Sequence, residues 1–240
     1  MSAIPPLTSS QAEAHEVQDR ELLDAAALTA RPFFLACKRS LDFLLALLML
    51  VVLMPLWLLV AVLIKIDSRG PVLFVNRAVG QHGKVFSLYK FRSMHPAGPS
   101  DGDRADIARN MLNGTPTAYI GGKPVYKTAL AQRARITRVG RLLRRSSFDE
   151  LPQLWNILRG DLSFVGPRPS LLDEVSRYRD WQRQRLLVPQ GLTGLYQVTA
   201  RNRVSIEEMI QIDLEYIRRR SFWLDFMILC KTPGAMFSGM

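Results

Sequence analysis

Residues 43–64 read FLLALLMLVVLMPLWLLVAVLI, a run without one charged side chain. That is about the length a helix needs to enter or cross the hydrocarbon core of a bilayer, roughly 20 residues. The run begins well inside the chain and no small-residue cleavage site follows it, which argues against a secretory signal. Pro55 lies near its middle and removes a backbone hydrogen bond where water cannot replace it, so a kink or a helical hairpin is expected there. Lys38 and Arg39 precede the run, while Lys65, Arg69 and Arg77 follow it, so positive charge marks both ends rather than one. A segment that bends at Pro55 and returns to the same face satisfies both flanks. A kinked transmembrane helix accounts for the same residues equally well.

The 240 residues suit one domain with appendages, and 48 % apolar residues are enough to bury a core. Lys and Arg number 32 against 21 Asp and Glu, a formal charge of +11. Such an excess implies an anionic partner: nucleic acid, a membrane face or a phosphorylated substrate. Placement argues against nucleic acid, because the basic residues flank an apolar insert and no aromatic-studded recognition module accompanies them. Cys37 and Cys230 show neither metal-ligand spacing nor a disulfide framework, which fits a reduced, cytosolic setting.

Residues 1–35 form a polar, acidic-leaning leader to which no chemistry is assigned, and residues 36–66 form the membrane element. The soluble part opens with GPVLFVNRAVGQHGKVFSLYKFRSM. The β-branched and aromatic content of VLFV and KVFSLYKF, either side of a Gly-containing turn, predicts a hairpin. Residues 95–134 read as a polar insertion with a short helix around DIARNML and a second hairpin near YIGGKPVYK. Gly160, after LWNILR, reads as a helix C-cap, and residues 170–187 and 204–220 read as helical. RRRSFWLDFMILCK sets three arginines before an apolar and aromatic stretch, a composition suited to the headgroup zone. A buried core helix fits that pattern as well.

SSFDELPQ, residues 146–153, places Asp149 and Glu150 side by side after the basic run RLLRR. Ser147 and Glu150 have the S-x-x-E spacing of a capping box, which employs Glu150 and leaves Asp149 without a task. With Ser147 as N-cap, Pro152 falls inside the helix and removes a hydrogen bond, so the helix is kinked or begins later. Either way the carboxylates sit near a helix N-terminus, where the dipole favours negative charge. An aspartate held ionised among arginines is poised to attack phosphorus, as in enzymes that pass through an aspartyl-phosphate. Glu150 then suits Mg²⁺, a hard cation usually held by one or two carboxylates plus substrate phosphates.

Lys90 and Arg92 in YKFRSM, with Arg144 in GRLLRR, are candidate phosphate ligands: Arg offers a planar fork and Lys a point charge. Anionic lipid accounts for Arg145 and Arg69 as readily. Arg168 in GPRP is bracketed by Pro167 and Pro169, which fix φ on both sides, either to present its guanidinium or to make a rigid turn. GLTGLYQ, residues 191–197, has the glycines of a loop that approaches a ligand closely. The sequence contains no Walker loop, dinucleotide fingerprint, zinc-ligand set or nucleophile elbow.

Taken in order, KRSLDF, the apolar run with its proline, GPVLFVNRAVGQHGKVFSLYKFRSM, TRVGRLLRRSSFDELPQLWNILRGDLSFVGPRP, GLTGLYQV and DLEYIRRRSFWLDFMIL resemble the bacterial sugar transferases, or monotopic phosphoglycosyl transferases. The likeness runs from about residue 36 to residue 238. It implies an enzyme on the cytoplasmic face of the bacterial inner membrane that moves a sugar-1-phosphate from a UDP-sugar to a polyprenol phosphate. UMP is released, and exopolysaccharide, capsule or other glycoconjugate assembly begins. In that reading Asp149 is the nucleophile of a covalent phosphosugar intermediate and Glu150 holds Mg²⁺. Lys90, Arg92, Arg144 and Arg168 serve substrate phosphates.

The resemblance also implies a re-entrant helix-break-helix at Pro55. Residues 67–240 become a compact α/β, α+β-like catalytic domain with a small sheet and interfacial amphipathic helices, the C-terminal one included. Membrane lipid is a further partner, and a homo-oligomer is left open. Met54 stands where many members carry Ser, so any backbone capping by that hydroxyl at the bend is lost; Phe148 replaces a more frequent aliphatic residue before Asp149 and Pro189-Gln190-Gly191 spaces a usual Pro-Gly by one residue, neither touching the proposed chemistry. Two displacements at phosphorus let one pocket receive donor and acceptor in turn. The rival readings are a lipid-binding scaffold in which SSFDELPQ only caps a helix, and an enzyme that joins donor and acceptor directly. The latter kind spans the bilayer many times, and only one long apolar segment exists here.

Overall fold

The apolar run folds as two helices. In the computed structural model, which describes residues 31–95, 118–120, 123–125, 135–200 and 204–238, α1 (Pro32–Val52) and α2 (Met54–Asp67) meet at Leu53 with a bend of 61°. Pro55 has no N–H to offer the carbonyl one turn back and its ring crowds that carbonyl, so the helix stops short of it. The proline then opens α2, where a missing N–H is harmless. Among the described residues no single helix is long and apolar enough to cross a membrane, whereas the bent pair together has the length and composition. The pair is wider than 36–66 at both ends. Its buried positions are Asp42 and Ala46 in α1 and Val60 and Ile64 in α2. Leu44, Leu48, Val52, Leu58 and Val62 are exposed and give the pair an apolar outer surface.

Lys38 and Arg39, which the sequence sets at the membrane flank, instead bind protein. Lys38 pairs with Asp225 at 2.5 Å, and Arg39 donates to the carbonyls of Ile157 and Leu158 at 2.6 Å each.

The expected hairpin is present. β1 (Leu73–Val79) runs antiparallel to β2 (Val85–Phe91), with Val79 opposite Val85 and Leu73 opposite Phe91. The connecting turn carries Gly83 at φ 77°, a left-handed value that glycine takes without penalty. The second small hairpin also forms, from β3 (Ala118–Ile120) and β4 (Lys123–Val125); the helix expected around DIARNML lies outside the described residues. The two ends of the insertion meet: Met94 bridges Ile136, and the His95 N–H donates to the Arg135 carbonyl at 3.0 Å.

Helix α3 (Arg138–Ser146) begins under a double cap. The Thr137 hydroxyl accepts from the Gly140 N–H, and the Asp67 carboxylate, at the end of α2, accepts from the Val139 N–H, both at 2.9 Å. A small core of Val60, Ile64, Phe91 and Leu143 fastens α2 to α3 and β2. Gly140 lies directly on the backbone just beyond β2, since a Cβ there would fall 2.0 Å from the Ser93 carbonyl oxygen. Gly140→Ala is therefore expected to push α3 outward and lower stability by about 1–3 kcal/mol, read by thermal unfolding.

Helix α4 (Gln153–Arg159) ends at Gly160 with φ 84°, the expected C-cap. Beyond it β5 (Ser163–Val165) leads to β6 (Ser170–Leu171), which pairs with the free edge of β1. Residues 170–187 do not form one helix. They divide into α5 (Leu172–Val175), α6 (Asp180–Arg183) and a 3₁₀ turn over Gln184–Leu187. The cause is local: Leu171 and Arg179 are extended, and their N–H groups donate to the side chains of Glu174 (3.2 Å) and Gln182 (2.8 Å), so each short helix has its own start.

Strand β7 (Gly191–Thr193) pairs parallel with β5, and α7 (Leu195–Thr199) follows. Helix α8 (Ile206–Arg219), expected over 204–220, opens with a capping box between Ser205 and Glu208. Its inner face contributes Ile210 and Ile217 to the main core, with Leu154, Ile157 and Phe164. Helix α9 (Phe222–Ser238) buries Asp225 and Ile228, as the core-helix reading expects, and leaves Phe222, Trp223 and Phe226 exposed. The class is mixed helix and small sheet, as expected.

Candidate active site

The acidic pair sits in the turn between α3 and α4. Ser147 takes a left-handed conformation (φ 57°, ψ 17°) that ends α3, and Phe148–Glu150 form one 3₁₀ turn. The S-x-x-E capping box does not form: among the described residues Ser147 makes no side-chain cap bond. The next helix begins later, with Pro152 at its N-cap, where the missing N–H breaks nothing. Asp149 and Glu150 thus lie just ahead of α4 rather than within it.

Two elements, β2 and α3, converge on this turn. Lys90, near the end of β2, places its ammonium 2.6 Å from Glu150 Oε1. Arg144 comes from the last turn of α3, and its Nη1 is buried with no hydrogen-bond partner among the described residues. Asp149 is buried. Burial, and then the neighbouring Glu150, push its carboxyl up to about 6, against the pull of Lys90 and Arg144. An acid held down by arginines was the expectation; desolvation outweighs the cations here. At neutral pH the group is still mainly ionised, and more basic than a solvated aspartate. A buried carboxylate beside an unpartnered cationic N–H is suited to meet an anion that approaches as an electrophile.

The other basic candidates stand elsewhere. Arg92 is buried, and its Nη2 donates to the Ser68 carbonyl at 2.5 Å and the Ser68 hydroxyl at 2.9 Å, closing the C-terminus of α2. Arg168 is exposed and belongs to a second cluster, where its field acts on Asp213. There Arg185 and Asp213, each 1 % exposed, pair at 2.5 Å. Arg185 also donates to the Ser170 hydroxyl (2.6 Å), the Tyr178 hydroxyl (2.8 Å) and the Arg168 carbonyl (2.8 Å).

The glycines of GLTGLYQ approach backbone rather than ligand, since a Cβ at Gly191 would lie 2.1 Å from Gly166 N and one at Gly194 2.2 Å from Gly166 O. The GPRP turn is thus gripped from both sides and only the Arg168 side chain projects. Sequence reasoning missed Arg185 and Asp213, which are 28 positions apart and carry no motif. Both lie in segments rich in other charges, DWQRQRLL and IEEMIQIDLEYIRR, so nothing local marks them out. Among the described residues no group of three or more His, Cys, Asp or Glu side chains is placed to hold a metal.

Comparison with known proteins places these elements in a lineage. Residues 33–239 match the bacterial sugar transferase family. The chain is 39 % identical over 206 residues to the exopolysaccharide production protein ExoY of Sinorhizobium fredii, covering 86 % of this chain and 88 % of that protein. It is 37 % identical over 195 residues to the undecaprenyl-phosphate galactose phosphotransferase of Salmonella typhimurium, covering 81 % of this chain and 39 % of that protein. To the undecaprenyl-phosphate glucose phosphotransferase of Komagataeibacter xylinus it is 38 % identical over 214 residues, 81 % of this chain and 35 % of that protein. It therefore spans well under half the length of those two phosphotransferases. The family match takes in the bent helix pair, the acidic turn and both basic clusters, and by that breadth the chain belongs to the bacterial sugar transferases.

Proposed function

We propose that the protein transfers a sugar-1-phosphate from a UDP-sugar to a polyprenol phosphate such as undecaprenyl phosphate, through a covalent aspartyl-phosphosugar, and so initiates exopolysaccharide or related glycan assembly. The observation that carries this reading is the buried Asp149 carboxylate in the field of Lys90 and Arg144, next to Glu150. An Asp149 oxygen attacks the phosphorus that bears the sugar. The bond from that phosphorus to the bridging oxygen breaks, and UMP departs with the electron pair. The phosphate oxygen of the polyprenol then attacks the same phosphorus and restores the carboxylate. Lys90 and Arg144 bind and orient the anionic groups, and burial excludes the water that would hydrolyse the intermediate.

The donor set fits Mg²⁺: two adjacent carboxylates, without a third acidic or imidazole ligand among the described residues, suit a cation that takes its other oxygens from water and phosphates. Held by Glu150 together with the diphosphate, the ion would offset charge on the departing UMP. The polyprenol tail stays in lipid, and the exposed apolar surface of α1 and α2 supports a re-entrant anchor entered from the cytoplasmic side of the inner membrane. Trp223 and Phe226 on α9 suit the headgroup zone. The names of the Salmonella and Komagataeibacter relatives supply the same acceptor class.

The test is release of UMP by purified protein in detergent, with a panel of UDP-sugars, with and without polyprenol phosphate. Donor alone is expected to yield a burst of UMP of about one equivalent per enzyme, with steady release once acceptor is added. UMP formed only when both substrates are present would replace the covalent route by direct transfer.

A further inference from the structure

Asn156, near the middle of α4, is polar and fully buried. Its side chain lies against the outer edge of β2. Oδ1 accepts from the Tyr89 N–H at 3.2 Å, and Nδ2 donates to the Ser87 carbonyl at 2.7 Å. Those two backbone groups are the ones a further strand would engage. Nδ2 also donates to Asp161 Oδ2 at 3.2 Å, and the Asn156 carbonyl accepts from the Asp161 N–H at 2.9 Å. A single carboxamide therefore seals a sheet edge and ties it to one defined position of a helix.

The position of that tie bears on the acidic turn. Alternation along β2 puts Phe86, Leu88 and Lys90 on one face. Phe86 and Leu88 enter the same core as Leu154 and Ile157 of α4. Lys90 ends the row and meets Glu150, in the turn that leads into the helix, at 2.6 Å. Tyr89, held by Asn156, is the neighbour of Lys90. A slip of one residue along the strand, about 3.3 Å, would turn Lys90 to the opposite face. A whole-residue slip is already opposed by the burial of Phe86 and Leu88; smaller displacements of β2 along α4 are resisted only weakly by apolar packing, which is not directional, whereas the two hydrogen bonds of the carboxamide are directional.

We propose that Asn156 is a positioning residue: by fixing the register of β2 against α4, it sets the Lys90 ammonium at the acidic turn to receive the diphosphate of the nucleotide sugar. This rests on the reading of Lys90 as a substrate-phosphate ligand. A role in core packing alone would account for the burial of Asn156, but it would make the effect of losing the amide independent of Lys90.

The experiment is a double-mutant cycle on the full chain in detergent. Binding of UDP-glucose, UDP-galactose and UDP is measured by calorimetry for Asn156→Leu, Lys90→Met and the double variant, with UMP release followed in parallel. Asn156→Leu keeps the branched shape and heavy-atom count of the side chain, at somewhat greater bulk, and removes both bonds to β2; if it melts below the working temperature, Asn156→Ser takes its place. The expected result is a loss of binding of about ten-fold on changing Asn156 in the parent, and less than about two-fold in the Lys90→Met background.

Equal losses in both backgrounds, or parental binding by a folded Asn156 variant, would overturn the proposal. Calorimetry needs no turnover. Coupled binding without phosphosugar transfer would therefore sink the functional reading while this inference stands, and transfer without coupling would do the reverse. A parent that binds none of the three nucleotides would overturn both.

Discussion

Asp149→Asn is expected to abolish phosphosugar transfer while leaving the fold at least as stable as the parent. The amide keeps the size of the carboxyl group but cannot form the bond to phosphorus, and loss of a covalent nucleophile lowers turnover by on the order of 10³-fold or more. The stability half follows from linkage. Burial raises the Asp149 carboxyl from 3.8 to about 6, so between those values the folded chain binds a proton more readily than the unfolded one. Stability from this group therefore falls as pH rises through that window and stays low above it. Asn carries no such burden, so the variant should gain on the order of 2 kcal/mol at pH 7 and nothing below about pH 4. Thermal melts across pH, alongside UMP release, check both halves. A folded variant that turns over within about ten-fold of the parent would remove Asp149 from the chemistry, and the acidic doublet would then be architecture, as the scaffold reading has it.

Arg185→Met should have the largest effect on stability. The guanidinium is 1 % exposed and serves four acceptors at once: Asp213, Ser170, Tyr178 and the Arg168 carbonyl. Its removal strands a buried carboxylate, a change worth roughly 3–5 kcal/mol, or a fall in Tm of roughly 6–20 °C for a chain of this size. The deficit also has a pH signature. Asp213, pushed up to about 6 by burial even with Arg185 beside it, loses its counter-ion and rises further. The variant therefore weakens progressively as pH climbs above the ordinary carboxyl range and comes closest to the parent in acid. Adding Asp213→Leu should restore much of the loss, because replacing both members of a buried ion pair by apolar groups is often neutral. A double variant no more stable than the single one would show that Ser170, Tyr178 and Arg168 depend on Arg185 more than Asp213 does.

The features legible in the chain are those written in neighbouring residues. Pro55 announces the bend, alternation in VLFV and KVFSLYKF announces the β1–β2 hairpin, and Gly160 announces the end of α4. The capping-box reading of Ser147 had the right spacing but the wrong element, because the left-handed turn at Ser147 closes α3 instead of opening α4. Pro152 carried the better signal. The segment 170–187 has helical periodicity, yet the side chains of Glu174 and Gln182 satisfy extended N–H groups and divide it.

What could not be read is held by partners far apart in sequence. Asn156 and β2 are 67 and 69 positions apart, Arg185 and Asp213 28, and Lys38 and Asp225 187. Each such contact joins two residues whose local surroundings are unremarkable, so no window of sequence contains the signal. For that reason Arg92 could be recognised as a strong donor, but not as the residue that closes α2.

The bridge between Met94 and Ile136 has a broader consequence. Met94 and Ile136 bring the two ends of the segment together at one point of the body. A loop closed at its base in this way can change in length while the junction itself holds the end of β2 next to the start of α3.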